Sequence, residues 1–156
     1  MTSVGITPPG ATKSSLFTVP PPGYQQPVVL DSGSTLSTLP DNLVAVMLAE
    51  FTGVTSLGSG VYSVDCNQTS LSGTLDFGFG NTIINVPYHQ FIWQTGGSCI
   101  FGAIGADPTM YDTWILGGKY LTSCALWSTK LIFFLLDTVM RSMYGKFECG
   151  FFLRPR

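Results

Sequence analysis

Not one lysine or arginine occurs between Ser14 and Gly118. Charged residues make up only 10% of the 156-residue chain, and its formal net charge is −2. That leaves no basic footprint for nucleic acid or for an anionic membrane surface. Histidine occurs once, as His89, and the four cysteines are scattered without ligand spacing. No metal site and no cofactor are therefore expected. Four cysteines are also too few for a disulfide-dense miniprotein. Apolar runs are short: Leu131 to Leu136 is six residues, against roughly 20 for a spanning helix. Residues 1–5 have neither the basic nor the apolar region of a secretory leader, so no signal peptide is read in this chain. There is no Gly-X-Y period and no sustained heptad pattern.

What is present is apolar and aromatic, at 45% and 13% of residues. That is too much for a disordered chain, and the length allows one domain with a real core. The charges divide sharply. Seven acids and no basic residue lie between Ser14 and Gly118, whereas Lys119 to Arg156 hold six basic residues and two acids. The acidic, Ser/Thr/Gly-rich body fits an extracellular protein in acidic surroundings, because carboxylates shed charge at low pH and limit positive self-repulsion. A compositional habit without adaptive meaning is the alternative. Asn67-Gln68-Thr69 is an N-glycosylation sequon, meaningful only in a secretory compartment.

The pattern along the chain is mainly β with at least one short helix. Short strands are expected at 2–7 and 15–18, broken by prolines. Pro27-Val28-Val29-Leu30 reads as a buried strand ending in the polar loop Asp31-Ser32-Gly33-Ser34-Thr35. Leu43, Val44, Val46, Met47, Leu48 and Phe51 share one helical face, with Pro40 suited to the first turn and Gly53 to the stop. Residues 61–66, 73–80 and 82–86 alternate as strands, Pro87 to Phe91 reads as a turn into another strand, and glycines punctuate at hairpin spacing. Trp114-Ile115-Leu116-Gly117 closes the body with an apolar run.

Taken alone, Asp31-Ser32-Gly33 is an ordinary turn triplet. Its setting changes the reading. The strand 27–30, the loop 31–35, Leu39-Pro40, the amphipathic helix and the closing run at 114–117 together resemble the second catalytic motif of pepsin-like aspartic proteases. The resemblance covers about residues 1–117. It implies the C-terminal lobe of a bilobal β-barrel fold, whose ψ-shaped loop is closed here by Ile115, Leu116 and Gly117. The residues alone offer the hydroxyls of Ser32, Ser34 and Thr35 as donors to the carboxylate; the resemblance implies Asp31 as one of two catalytic carboxylates at the floor of a cleft, oriented by hydrogen bonds from Ser32 and Thr35, with Gly33 leaving room for the backbone. It also implies a Cys66–Cys99 disulfide, contributing about 3 kcal/mol and marking an oxidising compartment. A polypeptide substrate and a secreted parent follow from the same resemblance.

In that mechanism two carboxylates share one proton, because neighbouring like charges do not both ionise cheaply. One takes a proton from water while the other polarises the peptide carbonyl. This sequence holds no second Asp-Thr/Ser-Gly. The mate is expected on a missing N-terminal lobe, the polypeptide alone is expected to be inactive, and its bare inter-lobe face is expected to limit solubility. The resemblance also places Met1 inside a strand of the parent, implying an internal methionine.

The tail departs from the family. Asp137-Thr138-Val139-Met140-Arg141-Ser142-Met143-Tyr144 supplies what should follow Gly117, 19 residues late. Gly118-Lys119-Tyr120 is encodable with the splice-donor string GTAAGT, Leu136-Asp137 with an acceptor AG, and Gly145-Lys146-Phe147 with a second donor. The expected organisation is a partial lobe at 1–117, a retained-intron insertion at 118–136, a resumed lobe strand at 137–144 and a non-homologous tail at 145–156. Cys124 and Cys149 then carry no chemistry. A divergent C-terminal module is the alternative.

Other constellations are weaker. His89 lacks a Gly-x-Ser-x-Gly partner and reads as a surface or hydrogen-bonded histidine. Phe77-Gly78-Phe79-Gly80 lacks the lysine of a phosphate loop. Two functional alternatives to the protease lobe stand: a non-catalytic β-rich binding or inhibitory module, and a half-enzyme active only as a homodimer with two Asp31 loops meeting on a two-fold axis.

Overall fold

Alternation is plain in one strand. In β8 (Thr82–Pro87), Ile84 and Val86 are buried while Ile83 and Asn85 are exposed, as the two-residue period of a strand requires. The computed structural model describes residues 1–17, 26–107 and 113–125. These belong to the unit Met1–Ser123, except for the first two residues of a second unit, Cys124–Arg156. The readings at 126–136, 137–144 and 145–156, and that of Cys149, lie outside the described residues, as does the side chain of Cys124.

The strands form three open four-stranded sheets. The first has the order β2 (Ser15–Phe17), β1 (Ser3–Thr7), β7 (Thr74–Phe79), β8, antiparallel throughout. The second has the order β5 (Thr55–Gly58), β6 (Val61–Ser63), β10 (Ser98–Ile100), β9 (Trp93–Thr95). The third has the order β11 (Ala103–Ala106), β4 (Ser37–Pro40), β12 (Trp114–Leu116), β3 (Val28–Leu30).

Helix α1 (Asp41–Leu48) begins where Pro40, at φ −52° and ψ 139°, leaves the β4 conformation. Asp41 places negative charge at the positive end of the helix dipole. Val44, Met47 and Leu48 are buried along one stripe, the i, i+3, i+4 spacing of a packed helical face. Gly105 admits the helix start, since a Cβ there would lie 3.1 Å from the Asp41 Cα.

The core is aromatic. Tyr120 stacks edge-on against Phe77 at 4.9 Å, Phe77 neighbours Phe91 at 6.2 Å, and Phe91 meets Phe101 at 5.2 Å. Phe101 in turn meets Phe51 at 5.2 Å, and Phe51 meets Tyr88 at 4.6 Å. Each such pair contributes about 0.5–1.5 kcal/mol beyond its buried area. Tyr120 comes from α3 (Gly118–Ala125) and is 1% exposed.

Four local expectations change. The strand at 28–30 exists, but Val29 and Leu30 are 50% and 40% exposed. Among the described residues it is the edge of its sheet, paired with β12 alone, so its apolar run is not enclosed by them. Pro40 is the last residue of β4 and precedes the helix rather than lying in its first turn. The strand expected over 61–66 stops at Ser63 because Asp65 accepts from the Asn67 N–H at 2.9 Å and starts a 3-10 turn, Cys66–Ser70. Pro87 to Phe91 is not a simple turn: Tyr88–Phe91 is one helical turn, α2, and β9 follows it.

Candidate active site

Three short strands build the site. β12 lies between β3 and β4, parallel to the first and antiparallel to the second. The connection from β3 to β4, residues 31–36, must therefore arch over the end of β12. This is a ψ-shaped arrangement, and Asp31 stands where it opens.

The arch is held by consecutive backbone groups. The Asp31 N–H donates to the Leu116 carbonyl at 3.0 Å, the last rung of the β3–β12 pairing. Past that rung, the Gly117 N–H donates to Ser37 Oγ at 3.1 Å. The Gly118 N–H donates to the Ser34 carbonyl at 2.6 Å, and the Lys119 N–H to the Thr35 carbonyl at 3.0 Å. The chain after β12 thus stitches the loop in place from behind. Ile115, Leu116 and Gly117 occupy the closing positions, with Leu116 fully buried. Gly117 has no room for a side chain: a Cβ would come within 2.3 Å of the Leu36 carbonyl oxygen.

The Asp31 carboxylate accepts from Ser34 Oγ at 2.5 Å on one oxygen and from the Gly33 N–H at 2.8 Å on the other. The Ser34 hydroxyl, then the Gly33 amide, hold the carboxyl below its ordinary range against the smaller opposing effect of desolvation. Gly33 also leaves the oxygen clear, since a Cβ there would lie 3.1 Å from Asp31 Oδ1. The orienting bonds come from Ser34 and Gly33, not from Ser32 and Thr35, whose side chains are exposed. The reason is loop geometry: the tight turn at Ser32-Gly33 brings the Ser34 hydroxyl back over Asp31, while Thr35 is drawn toward Lys119 through its carbonyl.

Asp31 is half-exposed rather than set at the floor of a cleft, and it is absent from the lining of two hollows in the fold. One of these is a tight space of about 10 Å³ between β4, β11 and β12. The other, of about 300 Å³, lies beside the disulfide. A carboxylate held in its ionised form has no proton to donate and can only accept one. Alone it supplies half of a general acid–base pair.

Ser37 was not singled out from sequence. It is fully buried and its hydroxyl anchors Gly117. A small hydroxyl residue opening a short strand, Ser37-Thr38-Leu39-Pro40, is the signal that marks it. The Cys66–Cys99 disulfide is present, with Cα atoms 5.3 Å apart, joining the 3-10 turn to β10. Asn67 beside it is exposed. His89 is exposed on α2 and makes no hydrogen bond to Asp31. Among the described residues there is no group of His, Cys, Asp and Glu suited to a metal, and no helix long and apolar enough to cross a membrane.

A ψ-arranged trio of strands presenting Asp-Ser-Gly, in a mainly β body, defines the lobe of a pepsin-like aspartic protease. The comparisons agree: the sequence-family model "Eukaryotic aspartyl protease" matches residues 22–127, and the chain belongs to that family. Aspartic proteinase 3 of Saccharomyces cerevisiae is 36% identical over 121 residues, covering 77% of this chain and 20% of that protein. Rhizopuspepsin-2 of Rhizopus niveus is 33% identical over 93 residues, covering 60% and 23%. Secreted aspartic protease 8 of Candida albicans is 36% identical over 98 residues, covering 60% and 21%. The chain thus spans between a fifth and a quarter of the length of these relatives.

Proposed function

We propose that this chain is the C-terminal catalytic lobe of a secreted aspartic endopeptidase, and that Asp31 is one of the two carboxylates that activate water against a peptide bond. The observation that carries the reading is the Asp31 carboxylate itself, fixed by Ser34 and Gly33 at the open end of the ψ arrangement. Its lowered pKa keeps the carboxyl in the ionised form, the only form with a free lone pair to take the water proton. Donation to the departing amine then falls to a second carboxyl group, on a lobe outside this sequence. Ser34 and Gly33 hold the base in position, Gly117 and Ser37 hold the loop, and the substrate is a polypeptide. Secretion of the parent is supported by the disulfide, by the acidic body and by a relative named as secreted.

The chain's organisation is part of the proposal: lobe at 1–117, insertion at 118–136, resumed strand at 137–144, tail at 145–156. α3 fills the space against Phe77 with Tyr120 whatever its origin. Genomic sequence tests this directly. Absence of GT at codon 118 or of AG at codons 136–137 would sink the insertion.

Activity is tested in two preparations. In the complete two-lobe parent, Asp31→Asn should lower kcat by about 10²–10⁴-fold, the usual worth of a positioned acid–base group. The purified 156-residue chain should leave an unfolded protein substrate intact at acid pH. Cleavage by the chain that disappears in its Asp31→Asn variant would replace the single-lobe reading with the homodimeric half-enzyme. Unchanged kcat in the parent variant would leave a non-catalytic binding module.

A further inference from the structure

We propose that Asn67 is a modification site, carrying one N-linked oligosaccharide attached during passage through the secretory pathway; this rests on the reading above that the parent is secreted. Asn67-Gln68-Thr69 is the one Asn-X-Ser/Thr triplet in the sequence; the other three asparagines, Asn42, Asn81 and Asn85, lack the hydroxyl residue two positions on. A sequon becomes a site when its asparagine can be reached and the fold can carry the sugar afterwards. Both conditions are met here.

Asn67 is exposed, and its carboxamide makes no hydrogen bond with any described residue. The residues around it hold the turn without calling on that side chain. Gln68 faces inward, 7% exposed, and donates from Nε2 to Thr52 Oγ1 at 2.8 Å. The Asn67 N–H donates to Asp65 Oδ1 at 2.9 Å, and its carbonyl accepts from Ser70 Oγ at 2.7 Å. Removing or elaborating the carboxamide therefore breaks no hydrogen bond among the described residues.

There is also room. A hollow of about 300 Å³ opens beside the sequon, lined by Thr69, Gln94, Thr95, Ser98 and the bare turn Gly96-Gly97. A Cβ at either glycine would meet nothing within 4 Å. Besides Cys66 and Cys99 of the disulfide, the walls are hydroxyl, amide and backbone, groups that hydrogen-bond a sugar ring and its water.

The structure also dictates the order of events. In the folded turn the Thr69 hydroxyl, which a glycosyl transferase must engage, is already donating to the Cys66 carbonyl at 2.8 Å. The turn is locked by the bond from Cys66 to Cys99, 33 residues further along. On a chain emerging from the ribosome, Asn67 is presented ahead of Cys99, before that bond can close. Transfer therefore precedes the disulfide. In the transfer, Asn67 Nδ2 forms a bond to the anomeric carbon of a lipid-diphosphate-linked oligosaccharide. The bond from that carbon to the diphosphate breaks, the lipid diphosphate leaves with the electron pair, and Nδ2 loses one proton.

The test uses the full 156-residue chain behind a cleavable leader in a eukaryotic secretory system, read by gel mobility before and after peptide N-glycosidase. The leader-cleaved chain should show one discrete shift on deglycosylation. Asn67→Gln and Thr69→Ala should lose it, and Thr69→Ser should retain it. Cys99→Ser should keep or raise occupancy, because the turn then stays open longer. A leader-cleaved chain without the shift, or a shift that persists in Asn67→Gln, would overturn the proposal; a loss of occupancy in Cys99→Ser would overturn the order of events. An Asp31→Asn chain should be glycosylated as fully as the parent chain, so the fate of the catalytic reading does not decide this one.

Discussion

Gly117 lies against the Leu36 carbonyl so closely that a Cβ on it would stand 2.3 Å from the oxygen and 2.6 Å from the carbon. Backbone, not a flexible side chain, is in the way, so nothing can swing aside. Gly117→Ala should therefore push the arch at residues 31–36 off β12. Overpacking of this kind costs about 1–3 kcal/mol. A urea unfolding midpoint lower by the corresponding amount is the expected result, and an unchanged midpoint would show that the loop is not seated on Gly117.

Ser34 sets the acidity of Asp31. Its hydroxyl is the largest single cause of the lowered pKa. Ser34→Ala removes one of two donors to the carboxylate, so the Asp31 pKa should rise toward its ordinary value. Carboxyl-carbon NMR titration of the two proteins reads this directly. Ser32→Ala should leave the titration where it was, since the Ser32 side chain is exposed and gives Asp31 no hydrogen bond.

Asp76 should make the fold acid-sensitive. It is fully buried in β7 and accepts from Thr7 Oγ1 at 2.7 Å, Thr74 Oγ1 at 2.7 Å and Asn85 Nδ2 at 2.6 Å. Burial, the largest influence, opposes ionisation, but the neighbouring donors together outweigh it and the pKa lies below 3.8. The buried Ser14 hydroxyl, which has no hydrogen bond of good geometry, lies close enough to favour the ionised form too. Because the folded value is the lower one, the unfolded chain takes up its proton first as pH falls. The stabilisation is complete above pH 3.8 and is lost as pH drops through the folded pKa. Asp76→Asn should lower stability at neutral pH by about 1–3 kcal/mol, the usual cost of disrupting a buried polar set. It should also flatten the acid limb of the stability profile, measured by urea midpoints between neutral pH and pH 3.

Tyr88 carries a phenol the fold does not use. The ring is fully buried against Phe51, yet its hydroxyl has no hydrogen-bond partner among the described residues. Burial, then the charges of Glu50 and Asp76, push its pKa up to about 12. Tyr88→Phe removes a desolvated, unpaired donor while keeping the ring. Stability should be unchanged or higher, by up to about 1–3 kcal/mol. A clear loss of stability would mean that the hydroxyl is satisfied in solution.

Much of this was legible in the residues because local chemistry and tertiary structure agree there. The amphipathic stripe Val44, Met47, Leu48 folded as the helix it spells, and the alternation at 82–86 came out as β8. The strand, the Asp-Ser-Gly loop and the closing Ile115-Leu116-Gly117 were readable together because the ψ arrangement needs each at a set place. Val29 and Leu30 misled because an apolar run does not say whether anything covers it; only the sheet order puts β3 at an edge. For the same kind of reason, the residues offer the hydroxyls of Ser32, Ser34 and Thr35 alike as donors to the carboxylate, and the resemblance picked Ser32 and Thr35. Four hydroxyl residues within residues 32–37 are chemically alike, and turn geometry alone selects which one reaches the carboxylate.

By itself the sequence determined most of the strands and the first helix, the family resemblance of the loop at residues 31–35, and the fact that a single Asp-Ser-Gly is present. Those follow from side-chain periodicity and from residue types whose chemistry is local. Tertiary structure decided which donors hold Asp31, that Ser37 anchors the loop, and that Asp76 is sealed inside the first sheet. These are matters of which distant backbone and side-chain groups meet across strands paired far apart in the chain. Thr7 and Asp76 are 69 residues apart and Ser37 and Gly117 are 80 apart, and only the folded pairing brings them within a hydrogen bond.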